Sequence, residues 1–536
     1  MTDQTCAGHI PVPDGPSNLI ETDYKLGQDN IKPRIAGVAF DVHNVVFTIS
    51  SISIAVFVAI TLLYKDTVGP VFTDLRVWLT SSFDWFFLIA GNIFVLLCLF
   101  LIVSPLGKVR IGGRDAKPDY SYGEWFSMLF AAGMGIGLVF YGVAEPLGHY
   151  SAITTGSSWA PLGGEALSGV EAERLAMAST IFHWALHPWA TYAVIALGLA
   201  LFSYNKGLPL TVRSIFYPLL GERIWGWPGH VIDILAVFAT LFGLATSLGI
   251  GAEQANAGLH HLFGLEITTT TKVWLIIAIS GIALGSVVMG LDKGIKHLST
   301  FNVVIAAVLL GFVVLAGPTL DIFQKLFWNL EAYLEYLPAL SNPIGRVDDN
   351  FRHGWTTFYW AWWFSWAPFV GMFIARISRG RTVREFMFCV LVIPSVVTTV
   401  WMTAFGGTAI KLEATTTFGK IAGAATEIQL FEMLSNLPLA EITSVLGVVL
   451  IITFFVTSSD SGSLVIDTIT AGGKVDAPVQ QRIFWATLVG LVAIALLLGG
   501  GLSSLQAMTV STGFPFAIVL LGACFAIIKG LRSEPR

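Results

Sequence analysis

Charge is what this 536-residue sequence has least of. Asp, Glu, Lys and Arg make up 12% of it, where an average soluble domain carries about 25%. A water-soluble globule of this length would lack the polar surface to cover itself, which sets aside soluble enzymes and nucleic-acid binders. Cysteine is scarce too. Cys6, Cys98, Cys389 and Cys524 lie far apart, three of them inside apolar runs, with no CxxC or Cys/His cluster. That excludes a disulfide scaffold and a cysteine metal centre, and leaves small buried hydrophobes. A cleavable leader is missing as well. The stretch MTDQTCAGHIPVPDGPSNLIETD is polar and acidic, with no basic region ahead of an apolar one, and reads as a disordered cytoplasmic tail. The net charge of -5 is too mild to call for a charged partner, nucleic acid included.

What the chain does have is apolar length. Hydrophobic residues make up 54%, and 54 glycines come on top of them. Runs long enough to cross a bilayer, about 20 residues each, recur about twelve times: near 45–64, 83–104, 121–147, 177–203, 231–252, 272–291, 300–317, 355–377, 384–408, 442–470, 481–500 and 509–529. The alternating pattern of an outer-membrane barrel is absent. The fold class expected is an all-α polytopic membrane protein. Basic residues concentrate in the even-numbered loops, as in Lys108, Arg110, Arg114 and Lys117, then Arg376, Arg379, Arg381 and Arg384. The long odd-numbered loops lean acidic, as in Glu165, Glu171 and Glu173. The positive-inside rule then puts both termini in the cytoplasm of a bacterial inner-membrane protein. Leu320 to Leu340 is amphipathic and reads as a helix lying on the outer interface.

Four stretches carry chemistry. In AAGMGIGLVFYGVAEPL, Gly133, Gly135 and Gly137 interrupt a spanning helix; glycine costs about 1 kcal/mol relative to alanine in a helix interior. Unwound backbone at membrane depth is tolerated where it lines a cavity, and there it can hold ions; close packing through small residues is the other reading. In FYWAWWFSWAPFVGMF, Tyr359, Trp362, Trp363 and Trp366 fit an arc of about 100° on one helix face, with Trp363 and Trp366 near mid-span rather than in an interfacial belt. In FHWALHPWATY, Trp184, Trp189 and Tyr192 span about 140° of a helix, again near mid-membrane. Two such faces build a box for a quaternary ammonium, which has no N–H to donate and is held through cation–π attraction. His183 and His187 are spaced like a zinc pair, but no acidic partner accompanies them. In ITFFVTSSDSGSLVID, Thr457, Ser458, Ser459 and Ser461 offer oxygens to a hard alkali cation or glue helices together, and Asp460 is an intramembrane carboxylate.

Together GMGIGLVFYGVAEP, FHWALHPWATY, WAWWFSWAPFVGMFIARISRGRTVREF and FFVTSSDSGS resemble the betaine/choline/carnitine transporter family, from about residue 40 to the end. The resemblance implies two extra helices followed by a LeuT-like 5+5 inverted repeat, and a homotrimer. The chain then divides into a tail (1–44), two peripheral helices (45–104), a first half (121–317), the interfacial helix and loop (318–354), a second half (355–529) and a short C-terminus (530–536). That C-terminus is too short to resemble the tails of osmosensing members.

The resemblance also implies an aromatic box of Trp184, Trp189, Tyr192 and Trp363, with Trp362 and Trp366 beside it. Gly133, Gly135 and Gly137 would turn their amides to a substrate carboxylate. No cofactor is implied beyond sodium as coupling ion, bound by Ala131, Met134, Phe454, Thr457 and Ser458. A second sodium site would use Thr240 and Phe369, but Leu244 stands where its second threonine belongs. Proton-coupled choline carriers of the family tend to carry an aspartate where this chain has Gly137. Sodium-independent carnitine exchangers carry a basic side chain, and none occurs in Val231–Ala252. Both comparisons favour sodium symport of a zwitterion. Glycine betaine, dimethylsulfoniopropionate, ectoine and carnitine stay open as substrates, and a proton-coupled choline or carnitine carrier stays open as the alternative. A ligand-gated channel or receptor would need a sensor domain, and an enzyme a nucleophile–base pair; neither is visible.

Overall fold

A chain that runs through hydrocarbon must satisfy its own backbone, and among the described residues this one does so almost entirely with helices. The computed structural model describes residues 12–35, 37–133, 135–289 and 294–535. Helices α1 (Asn44–Leu63) and α2 (Lys65–Val103) lead into α3 (Tyr122–Gly133), α4 (Ile136–Thr154), α5 (Gly169–Trp184) and α6 (Leu186–Ala200). After the one-turn α7 (Tyr217–Leu220) come α8 (Trp227–Phe263), α9 (Thr269–Met289), α10 (Gly294–Ala316) and the amphipathic α11 (Thr319–Ser341). The short α12 (Asp349–Phe351) precedes the tryptophan-rich α13 (Thr357–Ile377) and α14 (Val383–Leu412). The chain closes with α15 (Gln429–Ser435), α16 (Ala440–Thr470) and α17 (Val479–Arg532). Among the described residues, 9 helical stretches are long and apolar enough to cross a membrane, or 10 with the bent pair α3–α4 taken as one. The kink at Gly500 and Gly501 divides α17 into two rods. That kink and α13, whose tryptophans lower its hydropathy, account for the difference from the runs read in the sequence.

Two breaks shape the centre. The axes of α3 and α4 meet at 63°, with Gly135 extended at φ -164° ahead of α4. The second break differs from the continuous helix expected over 177–203. Ala185, at φ -103° and ψ -113°, ends α5 at Trp184 and starts α6 at Leu186. Pro188 is the physical reason: it has no N–H to give the Trp184 carbonyl four residues back, and its ring crowds that carbonyl. Trp184 therefore stands on a different rod from Trp189 and Tyr192. The stretch Gly169–Asn205 is also the most enclosed, with 94% of its apolar window buried against 28% for α1.

The tail expected to be disordered is packed against the helices over its described residues, 12–35 and 37–43. Strands β1 (Asn30–Ile31) and β4 (Val42–His43) pair antiparallel, as do β2 (Arg34–Ile35) and β3 (Val38–Ala39). The segment crosses the face that carries the basic loops. Asp14 N–H donates to the Gly112 carbonyl at 2.8 Å and Ile20 N–H to that of Lys206 at 3.0 Å. The Asn30 amide donates to the Ala471 carbonyl at 3.0 Å, and Lys474 Nζ to Asp41 Oδ2 at 2.7 Å. Tyr24 lies flat on Trp225 at 4.0 Å and accepts from the buried Arg213 at 2.9 Å.

Candidate functional site

The breaks bring three chain segments to one point. Trp184, Trp189, Tyr192, Trp362, Trp363 and Trp366 line a single cavity with Gly135 and Gly137, and the space between them measures about 50 Å³. The rings themselves are its walls. Trp184 meets Trp363 edge-on at 4.9 Å and 71°, Trp189 meets Tyr192 at 5.4 Å and 82°, and Tyr192 approaches Trp363 at 6.4 Å. Trp362 stacks on Trp363 at 5.1 Å and crosses Trp366 at 6.4 Å. A cation admitted here would meet aromatic faces from two helices of the first half and one of the second.

Three of the indoles are tied at their polar edges. Trp363 Nε1 donates to the His183 carbonyl at 2.9 Å and Trp362 Nε1 to Ser247 Oγ at 3.2 Å. Trp184 Nε1 donates to Glu145 Oε2 at 2.6 Å. Trp366 Nε1 is buried with no hydrogen-bond partner among the described residues. A Cβ on Gly137 would sit 2.8 Å from Trp362 and 2.9 Å from Trp184, so close approach of the rings requires glycine there. Gly133 ends α3. The amides of Ile136 and Gly137 belong to the first turn of α4, which a helix leaves without carbonyl partners of its own.

The oxygens expected to hold sodium lie on α3 and α16. Met134 lies outside the described residues, and Ala131 stands in the last turn of α3. Thr457 Oγ1 donates to the carbonyls of Thr453 at 3.0 Å and Phe454 at 3.2 Å, and accepts from Asn302 Nδ2 at 3.1 Å. Ser458, one residue on, is half-buried. Thr240 on α8 donates to the Ala236 carbonyl at 2.7 Å, and Phe369 packs edge-on against Trp366 at 5.4 Å. Leu244 is fully buried with its methyls against Gly462. It brings no oxygen.

A family model for betaine/carnitine/choline family transporters matches residues 45–536. The chain belongs to the betaine/carnitine/choline transporter family. It is 59% identical to the glycine betaine/proline/choline transporter of Vibrio parahaemolyticus, over 99% of this chain and 97% of that one. A second protein of that organism, glycine betaine transporter 1, is 54% identical over 96% and 98%. The glycine betaine transporter of Bacillus subtilis is 41% identical over 88% and 91%. As a family member the chain is a multi-pass membrane transporter of betaine- or choline-type molecules, and not an enzyme.

This betaine/carnitine/choline transporter holds one group that the motif reading left aside. His183 does have an acidic partner, Glu145, from 38 residues earlier, and His149 joins them. Their ligating atoms lie within 4.8 Å of one another, but each is engaged in hydrogen bonds. His183 also pairs with Thr356 Oγ1 at 2.9 Å, and Tyr359 donates to Glu145 Oε2 at 2.6 Å. His187 instead faces Asn92 at 3.0 Å. The signal available in the sequence was a lone carboxylate inside an apolar run, a costly feature that calls for a partner. On the acidic-loop side, a larger cavity of about 410 Å³ includes His149, Arg76, Trp159, Trp355 and Gln506 in its lining.

Proposed function

We propose that the transporter imports a zwitterionic quaternary ammonium or sulfonium compound, of the glycine betaine type, by sodium symport with alternating access. The observation that carries this reading is the convergence of Trp184, Trp189, Tyr192 and Trp363 on one cavity. A trimethylammonium group donates no hydrogen bond, so its recognition falls to ring faces. Gly137 supports a zwitterion over choline, because a carboxylate at that position would repel the substrate's own. The names of the Vibrio relatives extend the range to test to proline and choline.

Sodium is the coupling ion that the oxygens of Ala131, Met134, Phe454, Thr457 and Ser458 suit. The Thr457 hydroxyl donates its proton to carbonyls and accepts once from Asn302, which leaves it a lone pair for a cation. The possible second site at Thr240 and Phe369 lacks the hydroxyl that Leu244 replaces, so the coupling proposed rests on the first. Basic loops at one face support an inner-membrane orientation with both termini cytoplasmic. Assembly as a homotrimer completes the reading.

The test is uptake of labelled glycine betaine into bacteria lacking their own osmolyte carriers, with sodium present and then replaced by potassium. Accumulation should collapse without sodium, and Trp363→Ala should lower it at least about tenfold, the loss of one desolvated cation–π contact. Accumulation indifferent to sodium would put proton coupling or exchange first. Absence of betaine uptake would move the substrate to dimethylsulfoniopropionate or carnitine.

A further inference from the structure

Glu145 is fully buried, and among the described residues no arginine or lysine pairs with it. Four groups converge on its two oxygens. His183 Nδ1 lies 2.6 Å and His149 Nε2 3.2 Å from Oε1. The Trp184 indole N–H and the Tyr359 hydroxyl both donate to Oε2 at 2.6 Å. An ionised carboxylate is acceptor-only, with about four lone-pair sites, and this arrangement fills them. The imidazoles complete the set in the tautomers that turn an N–H toward Oε1.

Trp184 thereby has two ends with different surroundings. Its pyrrole N–H is bonded to the carboxylate, while its benzo edge reaches the cavity beside Gly137. Tyr359, held by the same oxygen, packs against Trp184 at 5.4 Å and lies nearly parallel to Trp363 at 5.7 Å and 17°. A hydrogen bond to a charged acceptor is stronger than a neutral one. It also pushes electron density from the N–H into the ring. The negative ring face that attracts a cation gains from this, and the carboxylate adds its own field through a medium of low dielectric.

We infer that Glu145 is a positioning and specificity-determining residue for the cationic end of the substrate: its charge, transmitted through Trp184 and Tyr359, makes the aromatic box prefer a quaternary cation over a neutral group of the same shape. The inference rests on the reading of the box as the site for a quaternary cation. It also gives a role to a carboxylate at a position where isolated burial would be costly.

Glu145→Gln isolates the charge. The Gln carbonyl can accept from Trp184 and Tyr359, and its amide can donate to the imidazoles in their other tautomers, so every contact has a counterpart. The probes are glycine betaine and 3,3-dimethylbutanoate, which replaces the ammonium nitrogen with carbon. Wild type should take up betaine and be inhibited by it far better than by the carbon isostere. In E145Q the KM for betaine should rise about tenfold with the maximal rate within about twofold, while inhibition by 3,3-dimethylbutanoate stays near the wild-type value. Glu145→Asp, which retains the charge, should keep most of the discrimination. An equal loss for both probes in E145Q, or equal behaviour of E145D and E145Q, would overturn the inference while betaine uptake by wild type left the transport reading intact. Failure of wild type to distinguish the two probes would overturn both. Should E145Q not reach the membrane, Trp184→Phe carries the test, since it severs the carboxylate from the ring; unchanged discrimination there would also overturn the inference.

Discussion

At Gly137 the backbone passes so close to Trp362 and Trp184 that a single methyl has nowhere to go. Neither ring can yield easily, because Trp362 is tied to Ser247 and Trp184 to Glu145. Gly137→Ala should therefore raise the KM for glycine betaine by about tenfold, on the order of one lost aromatic contact. Gly285→Ala on α9, where nothing lies within 4 Å, is the control expected to transport normally. Equal behaviour of the two would show that the rings move aside. The glycine motif was legible in the sequence, but only its proximity to two tryptophans explains this particular member. Glu145 shows the reverse case: the residue was visible, and its four partners were not.

Helix breaks decide where those residues point. Pro188 separates α5 from α6, so the box draws on two rods where periodicity alone suggested one. At the far end of the chain, Gly501 takes φ 65° and ψ -146° between the two rods of α17. That conformation is essentially reserved for glycine, and other residues pay about 1–3 kcal/mol to adopt it. Gly501→Ala should accordingly lower the thermal midpoint of the purified protein, read by fluorescence-detected unfolding, by a few degrees. An unchanged midpoint would mean that the kink relaxes without cost. The apolar runs were legible because crossing a bilayer demands about 20 residues of them, and so were the interruption at Gly133–Gly137 and the division after residue 500; the break at Pro188 was not, because one proline also fits within an intact span.

On the scale of the whole molecule, the segment from Val12 to His43 ties both halves together at the basic-loop face. His43 anchors it beside Arg213 Nη1 at 3.1 Å, with His230 stacked edge-on at 5.0 Å and Asp29 at 3.5 Å. Burial, then the Arg213 guanidinium, push the His43 imidazole down from 6.5 to about 3. The released segment thus binds a proton that the docked one refuses. Docking is at full strength above pH 6.5 and weakens as the pH falls from there toward 3, by up to about tenfold per pH unit. Limited proteolysis of residues 12–43 should accelerate between pH 7 and pH 5, and His43→Gln should flatten that dependence. A wild-type rate independent of pH would refute this account of the anchor.

Composition and pattern by themselves determined the membrane class, the helical architecture and the two aromatic faces near mid-span. Desolvation leaves the backbone one solution at this length, and tryptophan clusters at mid-span are rare enough to stand out. Tertiary structure alone decided that Glu145 meets Trp184 and Tyr359 across 39 and 214 residues, and that the N-terminal segment closes over one face. Both depend on contacts between groups far apart in sequence. A buried carboxylate or an exposed polar stretch shows its cost locally, but its partner emerges only once the helices pack.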